Sequence, residues 1–308
     1  MKVFEEIFKR KIVVASIGNC NVDMFYIVDK IPSLDEEALA INHFLFPGGA
    51  ASNFAIAVSK LGHISKIIGL IGKDEYGAFL KNNFVKHGVD ISCLKVIEGH
   101  TGRVIILVEE KTGNKVMVAY RGVNSKISDI VFSYRDLKNI NNFHASSVLV
   151  SDIIDKFRIV KDKDIFVSYD PGSLVIRKEY NLFRELEGLV DILFVNKREY
   201  EYLKDKKMLT YLKDIMIVVK LGKKGSLVVL DDNIVTTKGF SVTVKDTTGA
   251  GDVFDASFIV CWHTLNDVEK CSIFSNAVAA LKVMRLGAQS IPSKREILLF
   301  LKKNIGNI

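Results

Sequence analysis

Cysteine, proline and tryptophan are scarce in this chain: four, four and one among 308 residues. The cysteines (Cys20, Cys93, Cys261 and Cys271) make no CxxC pair and take no metal-ligand spacing with histidine. That excludes a disulfide framework and a structural zinc site, and it reads as reduced thiols in a cytoplasmic protein. The few prolines and the lack of a Ser/Gly/Pro-rich stretch leave no tether between separate domains. No run approaches the ~20 uninterrupted apolar residues of a membrane span. The longest, Val253–Trp262, is broken by Asp255 and Ser257. Met1–Arg10 carries Glu5, Glu6 and Lys9 and does not read as a signal peptide. No membrane partner is expected. The net charge is +7, but lysine and arginine are scattered, not drawn into the stripe that nucleic acid requires, so no nucleic-acid partner is expected either.

Hydrophobic residues make up 48% of the chain and charged residues 26%. This is a globular balance, and it excludes a disordered chain. Continuous apolar runs at Ile12–Ile17, Lys66–Ile71, Ser147–Val150, Ile165–Tyr169, Ile192–Val195 and Met216–Lys220 read as buried parallel strands. Helical periodicity lies between them at Ala51–Leu61, Gly77–His87, Lys197–Leu203 and Met208–Leu212. The alternation predicts an α/β fold, three layers (αβα) around a mostly parallel sheet. Two segments break the pattern. Lys30–Phe46 alternates weakly and contains Pro32, and Arg103–Glu110 and Lys115–Tyr120 flank the hairpin turn Lys111–Asn114. We expect residues 22–47 and 100–121 to form a small antiparallel β-sheet lid, inserted into a large domain of residues 1–21, 48–99 and 122–308. The exposed edges of such a sheet predict a homodimer through the lid.

Three motifs carry chemistry. Asp246-Thr247-Thr248-Gly249-Ala250-Gly251-Asp252 follows a strand-like run, Phe240–Val244, and opens an apolar helix. The amides of Gly249, Ala250 and Gly251 at a helix N-terminus make an anion hole. A carboxylate beside such a cradle, Asp252, makes sense as a base that takes a proton from an attacking hydroxyl. Alone, the motif reads as readily as a glycine turn with aspartate caps. A second motif tips the balance: Pro47-Gly48-Gly49-Ala50-Ala51-Ser52-Asn53 opens another helix, its glycines allowing close approach and Asn53 offering an amide to sugar hydroxyls. A third, Gly18-Asn19-Cys20-Asn21-Val22-Asp23, places Asn21 and Asp23 side by side at the C-terminal end of the first strand, where open parallel sheets bind ligands.

In this order, GGAASN and DTTGAGD resemble the two signatures of the ribokinase-like (PfkB) carbohydrate kinase family. Asn196-Lys197-Arg198-Glu199 is similar to its N-x-x-E motif, and Lys220–Gly225 to its nucleotide loop. The resemblance spans about Ile12 to Pro292. It implies a ribokinase-like fold and a phosphotransferase that phosphorylates a hydroxyl of a sugar or nucleoside, with Mg2+ and ATP and, in many members, K+. Asp252 would be the general base. Asn21, Asp23, Gly49 and Asn53 would bind the acceptor. Asn196, Glu199, Lys220, Gly222, Gly225 and Asn276 would bind the nucleotide, and Asp246 and the Thr248 carbonyl the monovalent cation. The chain departs from ribokinases at Ala50, where they often carry lysine, and shows no clear ribose-contacting glutamate; Asp152 is the candidate there. Arg103 and Arg121 lie in or beside the lid, as acceptor contacts or as exposed residues. The phrases VSYDPG (167–172) and LFVNKREYE (193–201) resemble archaeal nucleoside kinases of the same family. A nicotinamide dehydrogenase is disfavoured because G-x-G-x-x-G is missing after the first strand, and a P-loop kinase because G-x-x-x-x-G-K-[ST] is missing. A retired, sugar-sensing kinase fold would have no reason to keep Asp252.

Overall fold

A computed structural model describes residues 2–133, 135–231 and 233–305; the extreme ends of the expected large domain, Met1 and residues 306–308, lie outside them. After a short helix α1 (Lys2–Glu5), strand β1 (Val13–Gly18) leads into β2 (Asn21–Val28) and β3 (Ala40–Gly48). Helix α2 (Ala50–Lys60), β4 (Ile64–Gly72), α3 (Glu75–Lys86) and β5 (Asp90–Ile97) follow, then β6 (Gly102–Glu109) and β7 (Lys115–Tyr120). Next come β8 (Asn142–Ser146), α4 (Val150–Lys161), β9 (Phe166–Asp170), α5 (Gly172–Glu179), β10 (Ile192–Asn196), α6 (Lys197–Asp205) and β11 (Met216–Lys220). The chain ends with β12 (Ser226–Leu230), β13 (Asn233–Thr237), α7 (Ala250–Leu265), α8 (Val268–Val283) and α9 (Lys294–Ile305).

Nine strands make one sheet in the order β13-β12-β11-β10-β9-β8-β1-β4-β5. Every pairing from β11 to β5 is parallel, and β12 and β13 add an antiparallel edge. Alternate side chains of each strand enter opposite layers, because the side-chain period of a strand is two. In β10, Ile192 and Phe194 pack with α2, α7 and α8, while Leu193 and Val195 pack with α4, α5 and α6. A strand buried on both faces has no polar side to show, which is why these runs read as continuously apolar. Helix α7 is apolar almost all round because it is enclosed: nine of its residues, Val253 to Cys261, are buried.

The second sheet has the order β3-β2-β6-β7. Its outer pairings are antiparallel, while β2 and β6 run parallel side by side. Its strands come from two separate segments of the chain, β2–β3 and β6–β7.

Three local expectations are corrected. The strand placed at Ser147–Val150 lies earlier, at β8, and Ser147 turns the chain with φ 56° before α4. Phe240–Val244 joins no ladder; Phe240, Ser241, Val242 and Val244 line an apolar cavity described below. Met208–Leu212 forms only a short 3-10 turn, Met208–Tyr211.

Candidate active site

The C-terminal ends of the parallel strands bring polar residues to one edge. Gly18, Ser146 and Asp170 are in register across β1, β8 and β9, and Asn196 and Lys220 across β10 and β11. Above this edge stand the first turns of α2 and α7, and they meet: Asn53 Nδ2 donates to Asp252 Oδ2 at 2.8 Å. The two glycine motifs thus form one crevice. Burial pushes Asp252 up to about 6; the Asn53 hydrogen bond works against that rise, and Asp170 adds to it. Asn53 is itself fixed by Gln289, whose Nε2 donates to Asn53 Oδ1 at 3.2 Å. Gln289 in turn accepts from Asn83 and from Lys60. No motif in the sequence marks Gln289, because its role depends on a contact between residues far apart in the chain.

The glycines have distinct jobs. Gly249 caps α7 at φ 71°, and a Cβ there would lie 2.8 Å from that of Ala288. Only glycine fits where the turn is pressed on residue 288 in a left-handed conformation. Gly49 has φ 93°, and a Cβ there would sit 2.2 Å from Asn19 O. Ala250 N donates to Thr247 O at 3.2 Å; the amides of Gly249 and Gly251 make no protein hydrogen bond among the described residues.

Asp23 descends from β2 over Gly48, where any Cβ would collide with its carboxylate. Burial pushes it to about 7, with Asp252 and Asp246 adding to the rise. Two carboxylates therefore share the crevice near neutrality. Asn21 Oδ1 accepts from Asn124 Nδ2 at 2.9 Å, and Asn124 also clasps both backbone groups of Cys20. Asn124, another residue that sequence reasoning missed, sets the rotamer of Asn21. Arg103 lies between the rings of Tyr76 and Tyr120, 5.2 and 5.6 Å from their centroids. Arg121 reaches Ser147 O at 3.5 Å, beside Asn19, which bonds the same carbonyl. For Asp152 the structure records a backbone bond, from Lys156 Nζ to its carbonyl within α4, and no side-chain contact with the crevice residues.

The expected donor residues split into two groups. Gly222, Gly225 and Asn276 line an apolar cavity of about 340 Å³, together with residues of Phe240–Val244, α7 and α8, Gly251 among them. Asn276 bonds Ser226 Oγ at 3.1 Å, and Gly225 is needed for the chain itself, since a Cβ there would meet Thr237 O. Asn196 and Glu199 form the reciprocal cap of α6, and Ser173 Oγ donates to Glu199 Oε1 at 2.6 Å. They border a second cavity of about 440 Å³ with Arg177 and Arg198. Lys220 stands in the wall between the two cavities. Its ammonium bonds Asp170 at 2.6 Å and Asp255 at 2.9 Å, and despite burial these carboxylates hold it firmly protonated. Burial drives Asp255 well above the usual carboxylate range. Among the described residues no cluster of His, Cys, Asp and Glu could by itself hold a metal ion.

The sequence profile of the pfkB family carbohydrate kinases matches residues 11–295. The chain belongs to this family. As a pfkB carbohydrate kinase it is similar to an ATP-dependent ribose-1-phosphate kinase of Halopiger xanaduensis, at 30% identity over 94% of this chain and 98% of that protein. It is also similar to a nucleoside kinase of Methanocaldococcus jannaschii, at 26% identity over 94% and 97%. Among solved structures, the ribokinase of Thermotoga maritima superposes with a TM-score of 0.84 at 28% identity, covering 94% of this chain and 99% of that one. The protein is thus an enzyme of the ribokinase-type sugar or nucleoside kinases, a family that uses ATP. Its fold is ribokinase-like, and no helix among the described residues is long and apolar enough to cross a membrane.

Proposed function

We propose that the enzyme transfers the γ-phosphoryl group of ATP to a primary hydroxyl of a ribose-like sugar, free or already phosphorylated. The observation that carries this reading is the contact between Asn53 and Asp252 at the mouth of the glycine turn. Asp252, raised to about 6, is ionised at neutral pH yet basic enough to take the hydroxyl proton. The amides of Gly249 and Gly251 receive the charge that builds on the transferred group, which needs positioning and charge stabilisation more than covalent help. Asn21, Asp23 and Asn53 hold the acceptor. The apolar cavity beside Asn276 takes the base of the nucleotide, and its phosphates run past Gly251 and Lys220. Mg2+ brought with the ATP would supply charge neutralisation at the phosphates, and because such an ion usually keeps phosphate and water ligands, the residues here would not need to form a cage. Asn196 and Glu199, already committed as a helix cap, would reach it through water. Residues 22–47 and 100–121 act as a lid that excludes water from the crevice.

A nucleoside acceptor is the second reading, and one feature favours it. Phe25, Phe44 and Phe46, on the same face of the small sheet as Asp23, form a cluster with ring centroids 5.6 and 6.0 Å apart, a surface on which a base can stack. On the opposite face, Leu45, Ile105 and Val118 lie in one row of the register and are exposed, Val118 by 63%. A second copy covering this row would give the homodimer; sedimentation showing only monomer at every concentration, or an unchanged state in Val118→Glu, would count against it. Four free, buried cysteines accord with a cytoplasmic site of action.

The direct test is Asp252→Asn. It should bind ATP and acceptor as the parent does while kcat falls on the order of 10²–10⁴-fold, the range for a lost general base. Turnover at the parental rate, measured by ADP formation across sugars, sugar phosphates and nucleosides, would remove Asp252 from its role.

A further inference from the structure

The resemblance implies a monovalent cation beside the glycine turn, with Asp246 and the Thr248 carbonyl among its ligands. Asp246 is already answered by donors of the chain itself. Its Oδ1 accepts from Thr248 N at 2.9 Å and from Thr248 Oγ1 at 2.7 Å, and its Oδ2 accepts from Gly287 N at 2.9 Å. All three partners point hydrogens at the carboxylate and take up three of its roughly four lone-pair sites, leaving little of it for a cation to share. These bonds hold Asp246 ionised, below the usual carboxylate range, although burial opposes them.

The positive charge facing this carboxylate comes from the chain. Lys282, in the last turn of α8, has 0% exposure. Its Nζ donates to Asp246 O at 3.0 Å and lies 3.9 Å from Asp246 Oδ2. Burying an ammonium is costly unless carboxylate and carbonyl oxygens answer it, and both do here. Lys282 also acts on the catalytic turn: it lowers the pKa of Asp252, and Asp252 and Asp246 offset part of the burial that pulls the lysine down. The other charges that influence these groups are Asp170 from β9, Lys220 from β11, Asp23 from β2 and Lys115 from β7.

We propose that Lys282 supplies from within the chain the fixed positive charge that a monovalent cation supplies in related enzymes, and that this kinase works without K+. A lysine ammonium is a compact single charge, and here it is delivered covalently to the carboxylate that braces the anion hole. Lys282 is thus a positioning residue: it acts on the Asp246–Asp252 turn, not on the substrate. The inference rests on the kinase reading above.

The test compares KCl with tetramethylammonium chloride at equal ionic strength. The parent enzyme should keep the same kcat in both, and the same midpoint of thermal unfolding, since a cation that binds only the native state would raise that midpoint. A K+ requirement for turnover, or a K+-specific rise in the midpoint, would overturn the proposal. Lys282→Met should lose kcat on the order of 10²-fold, with no rescue by salt, because methionine fills the space. Lys282→Ala leaves room for a small cation and should be partly restored by ethylammonium or K+. Parental turnover of Lys282→Met without K+ would also overturn the proposal, and so would a loss in Lys282→Ala that no cation repairs in folded protein. If no acceptor is phosphorylated by the parent in either salt, the kinase reading itself fails, and the thermal comparison still decides the question of the cation.

Discussion

Asn53→Leu separates the two halves of the proposed chemistry, because Asn53 bonds the carboxylate that must take the proton. In the parent, kcat/KM for the acceptor should fall about tenfold for each pH unit below the Asp252 midpoint of about 6, as the base becomes protonated. The Nδ2 bond at 2.8 Å favours the ionised form. A hydrogen bond to a charged group contributes roughly 1.5–3 kcal/mol, and one pKa unit corresponds to about 1.4 kcal/mol. Removing the bond should therefore move the acid limb upward by about one to two units, to between about 7 and 8. Asp23, pushed to about 7, adds a step of its own, so the comparison is repeated in an Asp23→Asn background. The assay is ADP release followed by coupling enzymes kept in excess at every pH. An acid limb that stays near 6, or moves down, would refute the reasoning; so would a parent profile with no acid limb.

Asp23→Asn should bind acceptor more weakly yet make the protein more stable above neutrality. The folded pKa of Asp23 lies above its unfolded value. Its ionisation therefore costs nothing below about pH 4, and the cost is complete once the pH has passed about 7. About three units amount to roughly 4 kcal/mol as an upper bound, and thermal unfolding at pH 8 and pH 4 should show a gain only at the former. In the buried trio below the glycine turn, Lys220→Met should be destabilising by about 3–5 kcal/mol because it strands Asp170. Asp255→Asn should cost far less than Asp170→Asn, since burial already favours a neutral Asp255. Equal losses in the two asparagine variants, measured by urea unfolding, would contradict that asymmetry.

The large sheet was legible because a strand covered on both faces must be apolar throughout, as in Ile192–Val195 and Met216–Lys220. The glycine motifs were legible because Gly49 and Gly249 occupy backbone conformations that other residues rarely adopt. Phe240–Val244 misled for the matching reason: it has strand composition, but its partner across the cavity is a helix, and composition does not record which neighbour is present. Gln289, Asn124 and Lys282 escaped notice because each acts through contacts with residues 36 to 236 positions away in sequence. The N-x-x-E motif shows the opposite case: its spacing is equally that of a helix cap, and the fold uses it as one.

The chain crosses between its two sheets at Gly18–Asn21 and at Gly48–Ala50, and the residues flanking these crossings are those assigned to the acceptor. The apolar cavity proposed for the nucleotide base, by contrast, is built from Lys220 and residues after it. Under the proposed function, acceptor and nucleotide base are thus recognised by separate stretches of the chain. Exchanging residues 19–53 and 100–124 between relatives should redirect which alcohol is modified while leaving the nucleotide preference of the recipient intact.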